Sequence, residues 1–309
     1  MSTAAPIPDS SHHWSGTGKL RGTPAGIRFF ILVIRYLGLG FAYACAVPVA
    51  SYFSFASPDV AATMDFHRRV LGPQPWWKRR WLVARHFFSF GQMIIDRFAI
   101  LTGNVRGFQF TFDGEQHLLD ALAEGRGLVL INAHLGNWEA AGQLLHRANV
   151  PVNIAGHKRE TEAVRSLLEA DAQTRFRYIT LAGSPTDVLP MLAVLRRGEI
   201  LALLGDRSYG SPIARVPFFG EPAAFPVGPY LVAALAGAPL LQVFGVREKG
   251  RQYRFIGFPA EHLAVPAHDE RDAFLKACAT RYAERVEKLV RQYPFQWYNF
   301  YPFWNAPPP

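Results

Sequence analysis

Cysteine is nearly missing from this chain, which carries two, Cys45 and Cys278, among 309 residues. They lie far apart, in no C-x-x-C pair and no Cys/His cluster. Neither a disulfide framework nor a structural zinc site is expected, and a reducing compartment is compatible. Acidic residues are scarce at one end. Residues 1–110 hold twelve Lys/Arg against four Asp/Glu, whereas the remainder holds twenty-one against twenty. The formal net charge of +9 is therefore concentrated in the first third. Zinc-ligand spacing, an RNA-binding aromatic motif and a basic recognition helix are all lacking, so nucleic acid is not the expected partner. There is no P-loop and no dinucleotide-binding glycine fingerprint. The stretch GDRSYG (205–210) lacks the glycine two places before Ser208 that a nucleophile elbow requires. His12 and His13 lie in a polar arm and are not read as metal ligands. No metal and no redox cofactor is expected.

What the chain has in plenty is apolar and aromatic surface: half of it is hydrophobic and 14% is Phe, Trp or Tyr. Residues 1–26 are small, polar and rich in Gly and Pro, and read as a loose arm. No small-residue cleavage site follows a short apolar core there, as a signal peptide would require. Residues 27–103 read as a membrane-associating helical region. From Tyr36 to Pro58 no charged residue occurs, enough to span a bilayer, although Pro48, Gly38 and Gly40 should weaken a helix. Arg28 and Arg35 flank the run on one side. His67, Arg68, Arg69, Lys78, Arg79 and Arg80 follow on the other. A basic region beside a greasy one points to anionic lipid head groups, with the segment either spanning or lying on the membrane. The heavier C-terminal cluster puts the body of the protein on the cytoplasmic side. Residues 76–103 alternate aromatics with arginines at helical spacing, as in an amphipathic helix.

From residue 104 to 309 the grain changes to alternating strands and helices. GFQFTFD (107–113), GLVLINA (127–133), VPVNIAG (150–156), FRYITLAG (176–183), EILALLG (199–205), PLLQVFGV (239–246) and QYRFIGFP (252–259, an expected edge strand) read as strands. The segments between them read as helices, including 137–148, 160–173, 225–238 and a last one from about Glu270 to Gln292. Such alternation predicts an α/β fold, a mostly parallel central sheet flanked by helices. Ligands bind such sheets at the carboxyl ends of the strands, which puts the loops after residues 133, 156 and 205 on one edge.

One of those loops carries a histidine–acid pair. In GLVLINAHLGNWEAAG (127–142) a buried strand ends at Ala133, His134 opens the turn, Gly136 permits an unusual backbone path, Asn137 is a good helix cap, and Glu139 falls in the first helical turn. A hydroxyl is a poor nucleophile until a base takes its proton, and neutral histidine suits that task near pH 7. A carboxylate on the other imidazole nitrogen fixes the tautomer and stabilises the imidazolium. By spacing alone, a buried structural histidine and a helix-dipole glutamate fit the segment equally well.

The stretch LVLINAHLGNWE (128–139) resembles the pattern of the bacterial lipid A biosynthesis (late) acyltransferase family, an apolar strand followed by H-x-G-N-W-E. More broadly it resembles the H-x-x-x-x-D/E motif of the glycerolipid acyltransferase superfamily. The segment 205–241 resembles that family's D-Q/R block, V-P-F-F-G segment and apolar helix, and FQWYNFYPFW (295–304) its aromatic ending. The resemblance implies an O-acyltransferase moving a fatty acyl group from acyl-carrier protein or acyl-CoA to a hydroxyl of a lipid or glycolipid at the inner (cytoplasmic) membrane. It implies His134 as general base and Glu139 as its orienter, with Asn137 shaping the turn and Asp206 and Arg207 near the reaction centre. Arg207 stands where many relatives have Gln, so its part in neutralising an oxyanion or phosphate is open. Phe218, Phe219 and Gly220 would help line the site, a packed strand end being the other reading. Lys158 and Arg159, just after a strand at the active edge, would meet carrier or substrate phosphates or else form a solvated loop. A thioester hydrolase and a non-catalytic lipid-binding protein of the same fold are the rival readings.

Overall fold

A computed structural model of the protein describes residues 24–141, 150–157, 176–207 and 212–304. The expected helix 160–173, Lys158 and Arg159 lie outside the described residues, as does the arm before Pro24. Three helices come first: α1 (Pro24–Ala56), α2 (Val60–Leu71) and α3 (Trp76–Leu101). Then follow β1 (Gln109–Asp113), α4 (Glu115–Ala123), β2 (Leu128–Asn132), a short 3-10 turn at Trp138–Ala141, β3 (Val152–His157) and β4 (Phe176–Leu181). The rest comprises α5 (Val188–Arg196), β5 (Ile200–Leu204), β6 (Ile213–Phe218), β7 (Glu221–Pro226), α6 (Gly228–Ala236), β8 (Leu240–Arg247), β9 (Gln252–Gly257) and α7 (Arg271–Gln292).

Among the described residues the main sheet runs in the order β1-β9-β8-β2-β5-β3-β4. The five strands from β8 to β4 are mutually parallel; β9 pairs antiparallel with β8 and parallel with β1. The central strands are apolar throughout because both faces are covered: every side chain of β2 (LVLIN) is buried. On one face α7 sets Leu275, Cys278, Ala279, Tyr282, Ala283, Val286, Leu289 and Val290 into the core at three- and four-residue spacing. β9 is one strand in from the edge, and β1 takes the edge position expected for it. Phe225 and Pro226, expected to begin a helix, instead finish β7, which forms a hairpin with β6.

α1 and α3 pack antiparallel. Tyr43 donates to Asp96, Ala46 lies against Gly91, and Arg80 sits 4.2 Å over the Phe55 ring. α1 is broken at Gly38, which adopts φ 80°, whereas Pro48 stays inside helical backbone. Its inner stripe (Val33, Ile34, Leu39, Ala42, Ala46, Ala50) is buried, while Phe29, Leu32, Tyr36, Phe41, Tyr52 and Phe55 face outward. α3 is tied to the sheet by Asp96, which is fully buried, accepts from Tyr253 at 2.6 Å and pairs with Arg247 at 3.3 Å. Burial pushes the Asp96 carboxyl up from its ordinary value, against the pull of Arg247. The helical layer and the sheet thus share one apolar cluster, running from Val33 and Ile95 to Tyr253 and Phe255.

Candidate active site

β2 and β5 are parallel neighbours in a register that pairs Asn132 with Leu204. Two residues beyond those partners stand His134 and Asp206, so the register alone brings them to one point at the carboxyl edge of the sheet. His134 Nδ1 lies 2.7 Å from Asp206 Oδ1, and its backbone N–H donates to Oδ2 at 2.9 Å. The Asp206 side chain is wholly buried, while that of His134 is 14% exposed, so the imidazole is the member of the pair that reaches the surface.

Asp206 is held from a third direction. The indole Nε1–H of Trp297 donates to Oδ2 at 2.9 Å, and Asn299 Nδ2 donates to the same oxygen at 3.1 Å. Burial alone would raise this carboxyl. The charge and hydrogen bond of His134, together with Arg207, outweigh it and hold Asp206 below the ordinary carboxylate range. Asn299 also accepts from Arg207 Nε at 2.7 Å, and the Tyr298 carbonyl accepts from Arg207 Nη2 at 2.9 Å. The guanidinium is thereby fixed beside the pair with a known orientation.

The turn that carries His134 is built by close backbone approach. Gly136 adopts φ 65°, and a Cβ there would lie 1.9 Å from the Gly245 carbonyl of β8. Asn137 N–H donates to that carbonyl at 2.8 Å, and Asn137 Oδ1 accepts from Ala140 N–H at 3.3 Å, capping the 3-10 turn. On the other flank Gln296–Tyr298 runs antiparallel to the turn. Gly136 N–H donates to Gln296 O and Tyr298 N–H to His134 O, both at 2.8 Å, around a bridge between Leu135 and Trp297.

The residues picked from sequence divide accordingly. His134, Asn137, Asp206 and Arg207 come together. The carboxylate on His134 Nδ1 is that of Asp206, where the family resemblance implied Glu139 as the orienting acid. Asp206 reaches that nitrogen because the strand register delivers it, whereas Glu139 sits five residues on, within the 3-10 turn. Phe218 is packed at its strand end, the other reading given for it: it is fully buried, edge-on to Trp297 at 5.3 Å and stacked on Trp304. Phe219 (φ 52°) and Gly220 (φ 81°) are the two-residue turn of the β6–β7 hairpin, a conformation with both φ positive that matches the twist of the strands. The Phe219 N–H donates to Glu287 of α7 at 2.5 Å, and its ring lies under Arg291. Trp297 and Asn299 were missed as individual residues, their only signal being membership of the aromatic ending.

The model of the bacterial lipid A biosynthesis acyltransferase family matches residues 25–306. The chain belongs to that family and is an acyltransferase of lipid synthesis. Among characterised relatives, the phosphatidylinositol mannoside acyltransferase of Mycobacterium tuberculosis is 30% identical over 244 residues, covering 77% of this chain and 75% of the relative. The enzyme of the same name from Mycolicibacterium smegmatis is 28% identical over 192 residues, 62% of this chain and 60% of the relative. Among solved structures, the 1-acyl-sn-glycerophosphate acyltransferase of Thermotoga maritima aligns at a TM-score of 0.37 and 13% identity, over 78% of this chain and 96% of that one.

Proposed function

We propose that the protein transfers a fatty acyl group from acyl-carrier protein or acyl-CoA to a hydroxyl of a glycolipid acceptor at the cytoplasmic face of the inner membrane, with His134 as general base. The observation that carries this reading is the His134–Asp206 pair at the carboxyl edge of the sheet, in a chain of this family. A carboxylate on Nδ1 holds the proton there and makes Nε2 the basic nitrogen. The acceptor hydroxyl gives its proton to Nε2 as its oxygen bonds to the thioester carbonyl carbon. When the carbon–sulfur bond breaks, the thiolate takes that proton back from the imidazolium. No serine or cysteine acyl-enzyme is needed. The oxyanion formed midway requires a positive or N–H-rich neighbour. Arg207, pinned by Asn299 and the Tyr298 carbonyl, supports that part, and a phosphate-binding part equally. Glu139 is retained as a second acid of the motif, and Lys158 and Arg159 as contacts for donor phosphates.

The acceptor class is argued from the relatives, whose names specify a mannosylated phosphatidylinositol; lipid A precursors are the competing acceptors. Membrane residence is supported by α1, whose stretch Arg28–Ala56 is long and apolar enough to cross a bilayer. Its inner face is occupied by α3, and α3 is fastened to the sheet. This favours a helix that lies in the interface with its outer face in the apolar layer over one that crosses it. Trp76, Trp77 and Trp81 are all more than half exposed, beside Lys78, Arg79 and Arg80, at the level where α1 ends. That is the composition of an interfacial belt.

The test is transfer of a labelled acyl chain from palmitoyl-CoA and from palmitoylated acyl-carrier protein to a bacterial lipid extract, wild type against His134→Ala. Labelled glycolipid made by the wild type alone is the expected result. Free fatty acid as the sole product makes the protein a thioester hydrolase. Turnover that survives in His134→Ala removes the base from the mechanism.

A further inference from the structure

Two buried histidines take no part in the acid–base pair. His67 of α2 and His86 of α3 are each 2% exposed, with His67 Nε2 3.0 Å from His86 Nδ1 and His86 Nε2 3.1 Å from the carbonyl oxygen of Trp297. A carbonyl only accepts, so His86 must carry its proton on Nε2. Its Nδ1 is then the acceptor, and His67 donates to it from Nε2. Every donor in the row points towards Trp297. Burial pushes His67 down to about 4 and His86 well below its ordinary value, so both rings are neutral near pH 7. His67 Nδ1 is buried with no hydrogen-bond partner among the described residues, and a pair kept for packing alone would be better served by phenylalanine. What the pair does provide is a donor that fixes the main chain of Trp297 from behind, while Phe66, Phe218 and Phe303 clamp the indole at 4.9 to 5.3 Å.

We propose that Trp297, backed by His86 and His67, is a positioning residue of the acyl-transfer site: its indole N–H fixes the Asp206 rotamer that serves His134. Trp297 is 1% exposed and cannot touch substrate, so it acts through the carboxylate. Oδ2 collects three donors (the His134 backbone, Trp297 and Asn299), which leaves Oδ1 to meet Nδ1. The other charged and titratable groups facing Asp206 are Arg207 and, from α7, Tyr282. The same N–H spreads the negative charge that Asp206 presents to the imidazole.

The proposal rests on the His134 reading above, and the test separates the two. Full-length His134→Ala, Trp297→Phe, His86→Phe and His86→Gln are compared in palmitoyl transfer from palmitoyl-CoA, following kcat, KM and the pH profile of kcat/KM, alongside a thermal melt. With one donor lost, Trp297→Phe should lose roughly 10- to 100-fold in kcat with KM for the donor nearly unchanged. The acid limb of its pH profile should move to higher pH, because Asp206 with one donor fewer presents a less neutralised charge to the imidazole. His86→Phe should fall in the same direction by a smaller factor, and His86→Gln, which restores a donor, should recover part of it. If Trp297→Phe does not melt cooperatively, benzothienylalanine at position 297, the same shape without the N–H, decides the matter. Wild-type kcat and an unmoved acid limb in the folded Trp297 variant, with His134→Ala inactive, overturn this proposal alone. Full activity of His134→Ala overturns both readings.

Discussion

The first three helices and the carboxyl edge of the sheet follow opposite rules. α1 turns Phe29, Leu32, Tyr36 and Phe55 outward, so among the described residues its outer face is left uncovered. Around His134 the reverse holds: Asp206 is wholly buried and takes hydrogen bonds from the β2 turn and from residues 297–299. The first region is open in chemistry and loosely specified, since any sufficiently greasy stripe satisfies an apolar phase. The second is closed and specified atom by atom, since a buried carboxylate tolerates no missing donor. Sequence tolerance should therefore be wide in the first and narrow in the second.

That contrast breaks most sharply at His134. His134→Ala should lower acyl transfer by about 10²- to 10⁴-fold while leaving the melting temperature within a few degrees, as measured by initial rates and calorimetry. Gly136→Ala should act on the fold instead: a Cβ at 1.9 Å from the Gly245 carbonyl and a positive φ together should cost at least about 3 kcal/mol, read as a large drop in denaturant midpoint or loss of soluble protein. A smaller effect is expected of pH. The buried His67 and His86 remain neutral in the folded state and charge in the unfolded one. Their contribution is complete above about pH 6.5, the unfolded value, and is lost as pH falls towards about 4, where His67 titrates in the fold. A stability–pH curve that loses this slope in the His67→Phe/His86→Phe double variant is the expected outcome. The smallest effect belongs to the open layer. Trp76→Ala/Trp77→Ala/Trp81→Ala should weaken binding to anionic vesicles several-fold, more so at high salt, with kcat on a detergent-dispersed acceptor unchanged. Undiminished vesicle binding would remove these tryptophans from the membrane contact.

What was legible in the sequence follows the range of the forces involved. Local pattern was enough for the strands β2, β5 and β8, which are mostly apolar runs, and for the last helix, α7, expected from about Glu270 to Gln292. It also located His134, because a strand–turn–cap signature is local. It could not bring Asp206 to Nδ1, because 72 positions separate the two residues and only the β2–β5 register, a tertiary fact, makes them neighbours. Phe225 and Pro226 were read as helix because an apolar stretch follows them, while the Phe219-Gly220 turn that folds β7 back on β6 depends on two positive φ values that composition does not announce.

The strap Gln296–Asn299 has a consequence for the order of assembly. His134 leaves the ribosome on the order of 160 residues before the tryptophan that steadies its carboxylate, a delay of roughly 8–30 s at about 5–20 residues per second. Helices α1 to α3 emerge before either member of the acid–base pair, which then waits for its third side. A chain stalled anywhere short of Trp297 would lack a donor that the folded protein sets 2.9 Å from Asp206, so the site is closed only once the strap has been made.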